Sequence, residues 1–438
     1  MKLPYIILFL LGLNLIQIGT NAQNVITTIA GNGTIGSTGD GGPGPLAELD
    51  QPSCVFVDNA GNVYIADQYN NKIRKVAATT GKITTIAGTI ASGYNGDTIA
   101  ATSAQLSLPA SVFITKQGYI LIADCYNHRI RKIDTTTGMI YTICGTGTSG
   151  YSGDGGAAIN AKISYPTCVI ADTLGNIYFA DYGNNCIRMI LSTGSITTIA
   201  GKGTVGFFGD AGLAINAKLS GPAAICFDHA GNLYIADGGN NRIRTVNTSG
   251  IINTFAGNGS FGFSGDGSPA INAEFKIPQS VFADATGNIY VADMGNNRIR
   301  EINTAGNIST IAGNGTAGYT GEWGSPLSAE LNAPIGVFVS NAGNLFIADK
   351  ANNRVRKIAP STRVKTVGQT TGIIISPNPN NGKFIVSGMK DTQFSIYNMA
   401  GNIIYEGGLR TIVDISTQPN GIYFLAVDNT IQKIVINK

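Results

Sequence analysis

The sequence predicts an all-β chain: a six-bladed β-propeller with four-stranded blades, followed by a small β-sandwich. Three observations carry this expectation. Glycine fills 58 of the 438 positions and charged residues only 13%, a turn-dense and weakly charged composition against usual shares of about 7% and about 25%. One segment recurs six times at a nearly constant spacing. No stretch of useful length shows the 3.6-residue periodicity of an amphipathic helix, which excludes a helical solenoid.

The recurring segment runs from Tyr64-Ile65-Ala66-Asp67 to Arg74 and reappears at Asp124, Asp181, Asp237, Asp293 and Asp349, at spacings of 57, 57, 56, 56 and 56 residues. A fixed period with strand-like content marks a repeat architecture. In the first copy, four β-rich runs follow one another: Val55 to Val57, Val63 to Ala66, Ile73 to Val76 and Ile83 to Ala87. Asp, Asn and Gly clusters separate them, and tight turns of this kind join strands into a meander, one propeller blade. The outer-strand sequence occurs seven times, first at Ile26 to Gly31 and last, degenerate, at Val364 to Gly368, whereas the other three strands occur six times. The N-terminal strand is therefore expected to pair with strands between about Ile335 and Ile358 and complete the last blade, removing an edge that would template aggregation. The competing closure uses Val364 to Val367.

Composition bounds function. The chain carries 29 basic and 26 acidic residues, net charge +3, with no long like-charged block, so a nucleic-acid footprint is absent. The two histidines, His128 and His229, exclude a three-histidine metal site and leave little material for a general base. A charged start, an apolar run from Tyr5 to Ile18 and the small residues ending at Ala22 read as a signal peptide over residues 1–22. No apolar run of 18 residues follows it, so no membrane-spanning segment is expected. Six cysteines, Cys54, Cys125, Cys144, Cys168, Cys186 and Cys226, could oxidise after export; their 15 connectivities cannot be resolved, and each replaces an ordinary repeat residue, as a small buried hydrophobe would.

The segment Ala123-Asp124-Cys125-Tyr126-Asn127-His128-Arg129-Ile130-Arg131 resembles the NHL repeat, whose family forms six-bladed propellers. The resemblance covers roughly residues 23–368, although the other five copies carry Asn where the family motif has His. After a short linker at 369–372, residues 373–438 contain Ser376-Pro377-Asn378-Pro379, Asn398-Met399-Ala400-Gly401, Pro419-Asn420-Gly421-Ile422-Tyr423 and a final Lys433-Ile434-Val435-Ile436-Asn437-Lys438. In that order they resemble the type A sorting domain of the type IX secretion system. The resemblance implies a Bacteroidota-type source, export across the outer membrane to a secreted or cell-surface location, and contact between this domain and the secretion machinery.

The connection between blades is the longest loop of each repeat. It carries a Gly-aromatic-x-Gly-acid core with Tyr94, Tyr151, Phe207, Phe263 and Tyr319 as its aromatics, and Ser37 in the first copy. Long loops on a rigid scaffold usually hold binding residues. The five rings are candidate ligand contacts for an extracellular protein or glycan; the alternative, which repeat symmetry favours, is that each packs onto the neighbouring blade, since ligand sites normally break symmetry and packing preserves it. Pieces such as Asp40-Gly41-Gly42 could offer oxygens to calcium, but one carboxylate per loop falls short of a calcium loop, and no other cofactor is indicated. The six repeat aspartates, each seven residues before an arginine, fit local bonding that fixes the turn better than a ring around a substrate. Enzymes on six-bladed propellers, such as gluconolactonase-like and lyase families, line the central channel with acidic, Asn or His ligands. The residues expected there are Ser53-Cys54, Ala110-Ser111, Thr167-Cys168, Ala223-Ala224, Gln279-Ser280 and Ile335-Gly336, none acidic. The sequence thus favours a non-catalytic binding scaffold with no catalytic or metal residues to name, and a propeller hydrolase or lyase with an unrecognised site is the alternative.

Overall fold

The computed structural model describes residues 24–360, 374–376, 381–387, 393–398, 402–408, 412–427 and 430–436. The leader and the degenerate seventh strand at 364–368 lie outside the described residues. Among those described, secondary structure is strand and single 3₁₀ turns, with no α-helix. They fall into two compact units, Asn24–Pro360 and a second after it.

The first unit contains six antiparallel sheets, numbered here in chain order. Sheet 1 consists of Pro52–Val57, Val63–Asp67, Lys72–Val76 and Ile83–Ala87, and sheets 2 to 5 repeat that order, sheets 2 and 4 adding a two-residue fifth strand, Ile99–Ala100 and Gly212–Leu213, outside the fourth. Sheet 6 is built from Pro334–Val339, Leu345–Asp349, Arg354–Pro360 and, as its outer strand, the N-terminal Asn24–Ala30. That strand pairs antiparallel with the third strand, Ile26 opposite Ile358 and Thr28 opposite Arg356. The count of seven outer strands against six of every other kind anticipated this closure. The first strands of successive sheets lie side by side, and that of sheet 6 adjoins that of sheet 1, so the six sheets form a closed ring.

Each turn is fixed by its own residues. Between the first two strands of sheet 1, Asp58 accepts the Asn62 backbone N–H at 2.8 Å and the Asn62 amide at 2.8 Å, with the Tyr64 hydroxyl at 3.1 Å. This is an Asx turn that satisfies the loop backbone without another strand. Between the second and third strands, one residue per sheet is left-handed: Asn71, His128, Asn185, Asn241, Asn297 and Asn353, with φ from 49° to 55°. Asparagine tolerates that region better than other side chains, which explains its recurrence.

These residues also join neighbouring sheets. The Asn71 side-chain oxygen accepts the Leu108 N–H at 2.9 Å, Asn241 that of Ile277 at 3.1 Å, and Asn353 that of Gln51 at 2.9 Å across the closure. The acceptors hold left-handed residues just before the proline that opens each sheet, a conformation that costs a non-glycine residue roughly 1–3 kcal/mol and persists only where its surroundings impose it. Apolar residues then fill the space between consecutive sheets. One cluster combines Ala30, Phe346 and Val355 of sheet 6 with Val55, Val63 and Ile65 of sheet 1.

The second unit holds a three-stranded sheet (Ile374–Ser376, Lys383–Ser387, Ile412–Asp414) and a four-stranded sheet (Gln393–Tyr397, Ile403–Gly408, Gly421–Val427, Thr430–Ile436). Phe384, Val386 and Val413 of the first share one core with Phe394, Ile396, Leu425 and Ile434 of the second.

Candidate functional site

The loops between sheets are positioned by a device that recurs six times. In sheet 4, Arg244 has no exposed side-chain surface and lies between two carboxylates, Asp237 at 3.4 Å on its own sheet and Asp210 at 2.5 Å on the loop leading into that sheet. Asp237 also accepts the Ser220 N–H at 2.7 Å and the Asn240 amide at 2.7 Å. The same arginine bridge joins Asp67, Arg74 and Asp40 in sheet 1 and, in sheet 6, Asp349, Arg356 and Glu322. The repeat aspartates are thus buried and do not ring a substrate. Their local pairing with the arginine seven residues on is the arrangement the spacing favoured. Burial raises each of these carboxyls to about 6, working against the hydrogen bonds and the guanidinium that favour the ionised form. The loop acids Asp40, Asp97, Asp154, Asp210 and Asp266 are engaged by the same arginines at 2.5 to 2.9 Å. Among the described residues, no group of three or more His, Cys, Asp or Glu side chains is placed to hold a metal ion.

Each candidate ring stands on this frame. Tyr94, Phe207, Phe263 and Tyr319 stack on the guanidinium of Arg129, Arg242, Arg298 and Arg354 at 3.6 to 3.8 Å from ring centroid to carbon, with the bridging arginine at 4.7 to 4.9 Å. Tyr151 has only Arg188, at 4.9 Å. The tyrosine hydroxyls donate to the loop acid, Tyr94 to Asp97 at 3.0 Å and Tyr151 to Asp154 at 2.9 Å. The rings keep 36 to 43% of their surface exposed, and Tyr151 52%. They are therefore neither core residues nor free side chains; the arginines orient them and leave part of each ring to solvent. The first arginine of each Asn-x-Arg-x-Arg run went unrecognised in the sequence, because it meets its ring from 35 residues away.

The channel between the six first strands is lined, as the sequence indicated, by Ser53, Cys54, Ser111, Cys168, Ala224 and Ser280 among others, around a space of about 110 Å³. Beyond it lies an apolar space of about 250 Å³, narrowed by Phe113, Phe56, Phe338 and Phe282, whose successive ring centroids are 5.1, 5.0 and 4.6 Å apart. All six cysteines are free thiols. Burial pushes the Cys168 thiol up to about 12 and the Cys226 thiol higher, the opposite of an activated nucleophile.

His128 takes the place of the inter-sheet asparagine. Its Nδ1 accepts the Tyr165 N–H at 3.2 Å, a bond only the unprotonated ring can make, and its ring packs edge-on to Tyr165 at 4.6 Å. Burial and the neighbouring Arg129 lower its pKa. A histidine whose folded pKa is depressed contributes stability that is full above the unfolded value of about 6.5. That contribution is lost as pH falls through the folded value. His128→Asn, which restores the residue of the other repeats, is expected to leave stability at pH 8 within about 0.5 kcal/mol of wild type. It should also flatten the decline between pH 7 and 5, measured by urea unfolding across that range.

Comparison with known proteins adds the relatives. Residues 375–437 match the model of the secretion system C-terminal sorting domain, and residues 205–263 that of the teneurin NHL domain. Teneurin-1 of Gallus gallus is 34% identical over 232 residues, 47% of this chain and 8% of that protein. Teneurin-3 of Danio rerio is 28% identical over 378 residues, 72% of this chain and 14% of that protein. The chain thus spans a small part of these relatives. Among solved structures, a protein of unknown function from Bacteroides thetaiotaomicron superposes with a TM-score of 0.58 at 19% identity, covering 77% of this chain and 76% of the other. A protein from the same organism described as an auxiliary nutrient binding protein gives 0.55 at 18% identity, covering 77% and 76%. Residues 205–263 thus match an NHL-type propeller segment and residues 375–437 a secretion-system sorting tail, and a tail of that kind indicates export.

Proposed function

We propose that the six sheets are the blades of a six-bladed propeller, exported after removal of an N-terminal signal peptide, that acts at the cell surface or outside it as a non-catalytic scaffold binding a protein or glycan. The second unit, read as a small β-sandwich, carries the contacts with the secretion machinery, and the source is a Bacteroidota-type bacterium. The observation that carries the binding role is the set of five aromatic rings, held in fixed orientation by buried arginines yet 36 to 52% exposed. Burying preorganised rings costs little side-chain entropy, so aromatic contact converts efficiently into affinity, while nearby Asn and Asp groups orient the ligand by hydrogen bonds. A protein of the same fold described as an auxiliary nutrient binding protein is a precedent for binding on such a scaffold.

The test is capture on glycan and extracellular-protein arrays by the exported chain, beside a variant in which Tyr94, Phe207, Phe263 and Tyr319 are all leucine. The reading expects a ligand that wild type captures and the folded variant loses. Undiminished capture by the folded variant would move binding elsewhere. Turnover of a lactone or ester panel that survives in this variant would favour the hydrolase or lyase alternative.

A further inference from the structure

The repeats differ at one position of this face. In sheets 2, 4, 5 and 6 the third strand begins with Arg129, Arg242, Arg298 and Arg354, whereas sheet 3 has the buried Cys186 and sheet 1 has Lys72. The four arginines do the same thing. Arg129 donates to the carbonyl oxygens of Asn127 at 3.0 Å and Thr146 at 2.9 Å, and Arg298 to those of Asn296 at 3.2 Å and Asn314 at 2.8 Å. Each guanidinium carbon lies over the loop aromatic, 3.6 to 3.8 Å from its centroid. Each also passes over a glycine, Gly147, Gly259, Gly315 or Gly33, so closely that a Cβ there would meet it at 2.1 to 2.2 Å.

Sheet 3 keeps every wall of this site and replaces only its occupant. By repeat position Tyr151 corresponds to the ring, the carbonyls of Asn184 and Lys202 to the two acceptors and Gly203 to the floor. A Cβ built on Gly203 would find only the Asn184 oxygen, at 3.7 Å, because the short Cys186 side chain does not reach across. Accordingly Tyr151 is the most exposed of the five rings, at 52%. The Lys202 ammonium turns away to the Phe208 ring at 5.7 Å. In sheet 1 the ring is Ser37 and the floor is Ile90, so the slot is confined to sheet 3.

We propose that Tyr151, Gly203 and the carbonyls of Asn184 and Lys202 form a binding slot for a guanidinium group supplied from outside the chain, as an arginine side chain of a partner protein or a free guanidino compound. The four internal arginines show the bound geometry: two charge-assisted hydrogen bonds and a face-on ring. The second cation beside the ring is no obstacle, since four repeats hold two guanidinium groups against one ring. Ammonium groups fit less well, because the two acceptors suit a planar fork.

This inference rests on the reading of the loop face as a binding surface and names the chemistry of one place on it. The experiment is an NMR titration of the isotope-labelled full chain with N-acetylarginine amide, an arginine-containing peptide and its lysine counterpart, following the Tyr151 ring and the Gly203 amide. Saturable shifts at both are expected with the two arginine probes, weakened about tenfold with lysine. A peptide that binds at least about tenfold tighter than the amide identifies a protein partner; equal binding identifies a free guanidino ligand. Cys186→Arg fills the slot from within and is expected to unfold at or above the wild-type temperature while losing the shifts. Arg129→Cys is expected to open a second slot at Tyr94 and Gly147. Unchanged binding by folded Cys186→Arg, or no saturable shift in wild type, would overturn the proposal. Capture on arrays through the other four rings would persist in either case, so failure here is distinct from failure of the binding face.

Discussion

Deleting residues 24–30 is expected to abolish cooperative folding of the ring at 37 °C, even though every residue of the first five sheets remains. The deletion removes Ile26 and Ala30, both fully buried, from two inter-sheet clusters. It also removes the antiparallel pairing with Lys357, Ile358 and Ala359 and exposes the third strand of sheet 6 as an unpaired edge. Two lost apolar side chains and the released core surface amount to several kcal/mol against a typical total of 5–15 kcal/mol, and the new edge invites pairing with a second chain. The expected result is aggregation or a broadened transition in calorimetry. A permuted chain that carries the same seven residues after Pro360 through a flexible linker should restore a single transition. Full stability of the simple deletion would contradict the closure.

Replacing Arg244 with methionine is expected to cost about 3–5 kcal/mol, because it leaves the buried Asp237 without its cation. The double variant Arg244→Met with Asp237→Asn should recover much of that loss, since uncompensated charge, rather than a missing contact, is the main penalty. Asp210→Ala, on the half-exposed outer side of the same arginine, should cost only about 1 kcal/mol. The pH dependence follows from the position of Asp237, whose folded pKa near 6 lies above its ordinary 3.8. A carboxyl raised on folding contributes stability that is complete below the unfolded value and lost as pH rises through the folded one. Removing Arg244 raises Asp237 further, so the deficit of Arg244→Met should be smaller at pH 5 than at pH 8 in urea unfolding. A deficit that grows toward acid would show that Asp237 is not the group left exposed to the loss.

Much of this architecture is legible in the chain. The Asp-to-Arg interval of seven residues falls within one hairpin, so local bonding sufficed to anticipate the pairs now seen in all six sheets. The count of outer strands anticipated that the N-terminal strand completes the last sheet, where Ile26 lies opposite Ile358. What escaped the sequence lies across the long loops. The bond from Arg244 to Asp210 joins residues 34 apart, and the stack of Arg242 on Phe207 at 3.8 Å lies across the same loop, where neither hydrophobic period nor turn chemistry reports on distance. The role of His128 was hidden similarly, because its partner Tyr165 lies 37 residues on. The loop rings were expected to be either packed or exposed; an arginine stack gives them both properties at once.

The central claim is that these rings serve recognition rather than packing, and the most direct measurement is the unfolding free energy of Phe263→Ala alongside its array capture. Phe263 is 39% exposed and supported by Arg298 and Arg300. Losing part-buried area and two cation–π contacts should therefore cost about 1–2 kcal/mol, with capture reduced in the folded protein. A loss of 3–5 kcal/mol, the range for a phenylalanine in a closed core, with capture unchanged, would contradict the account and make the rings part of the scaffold.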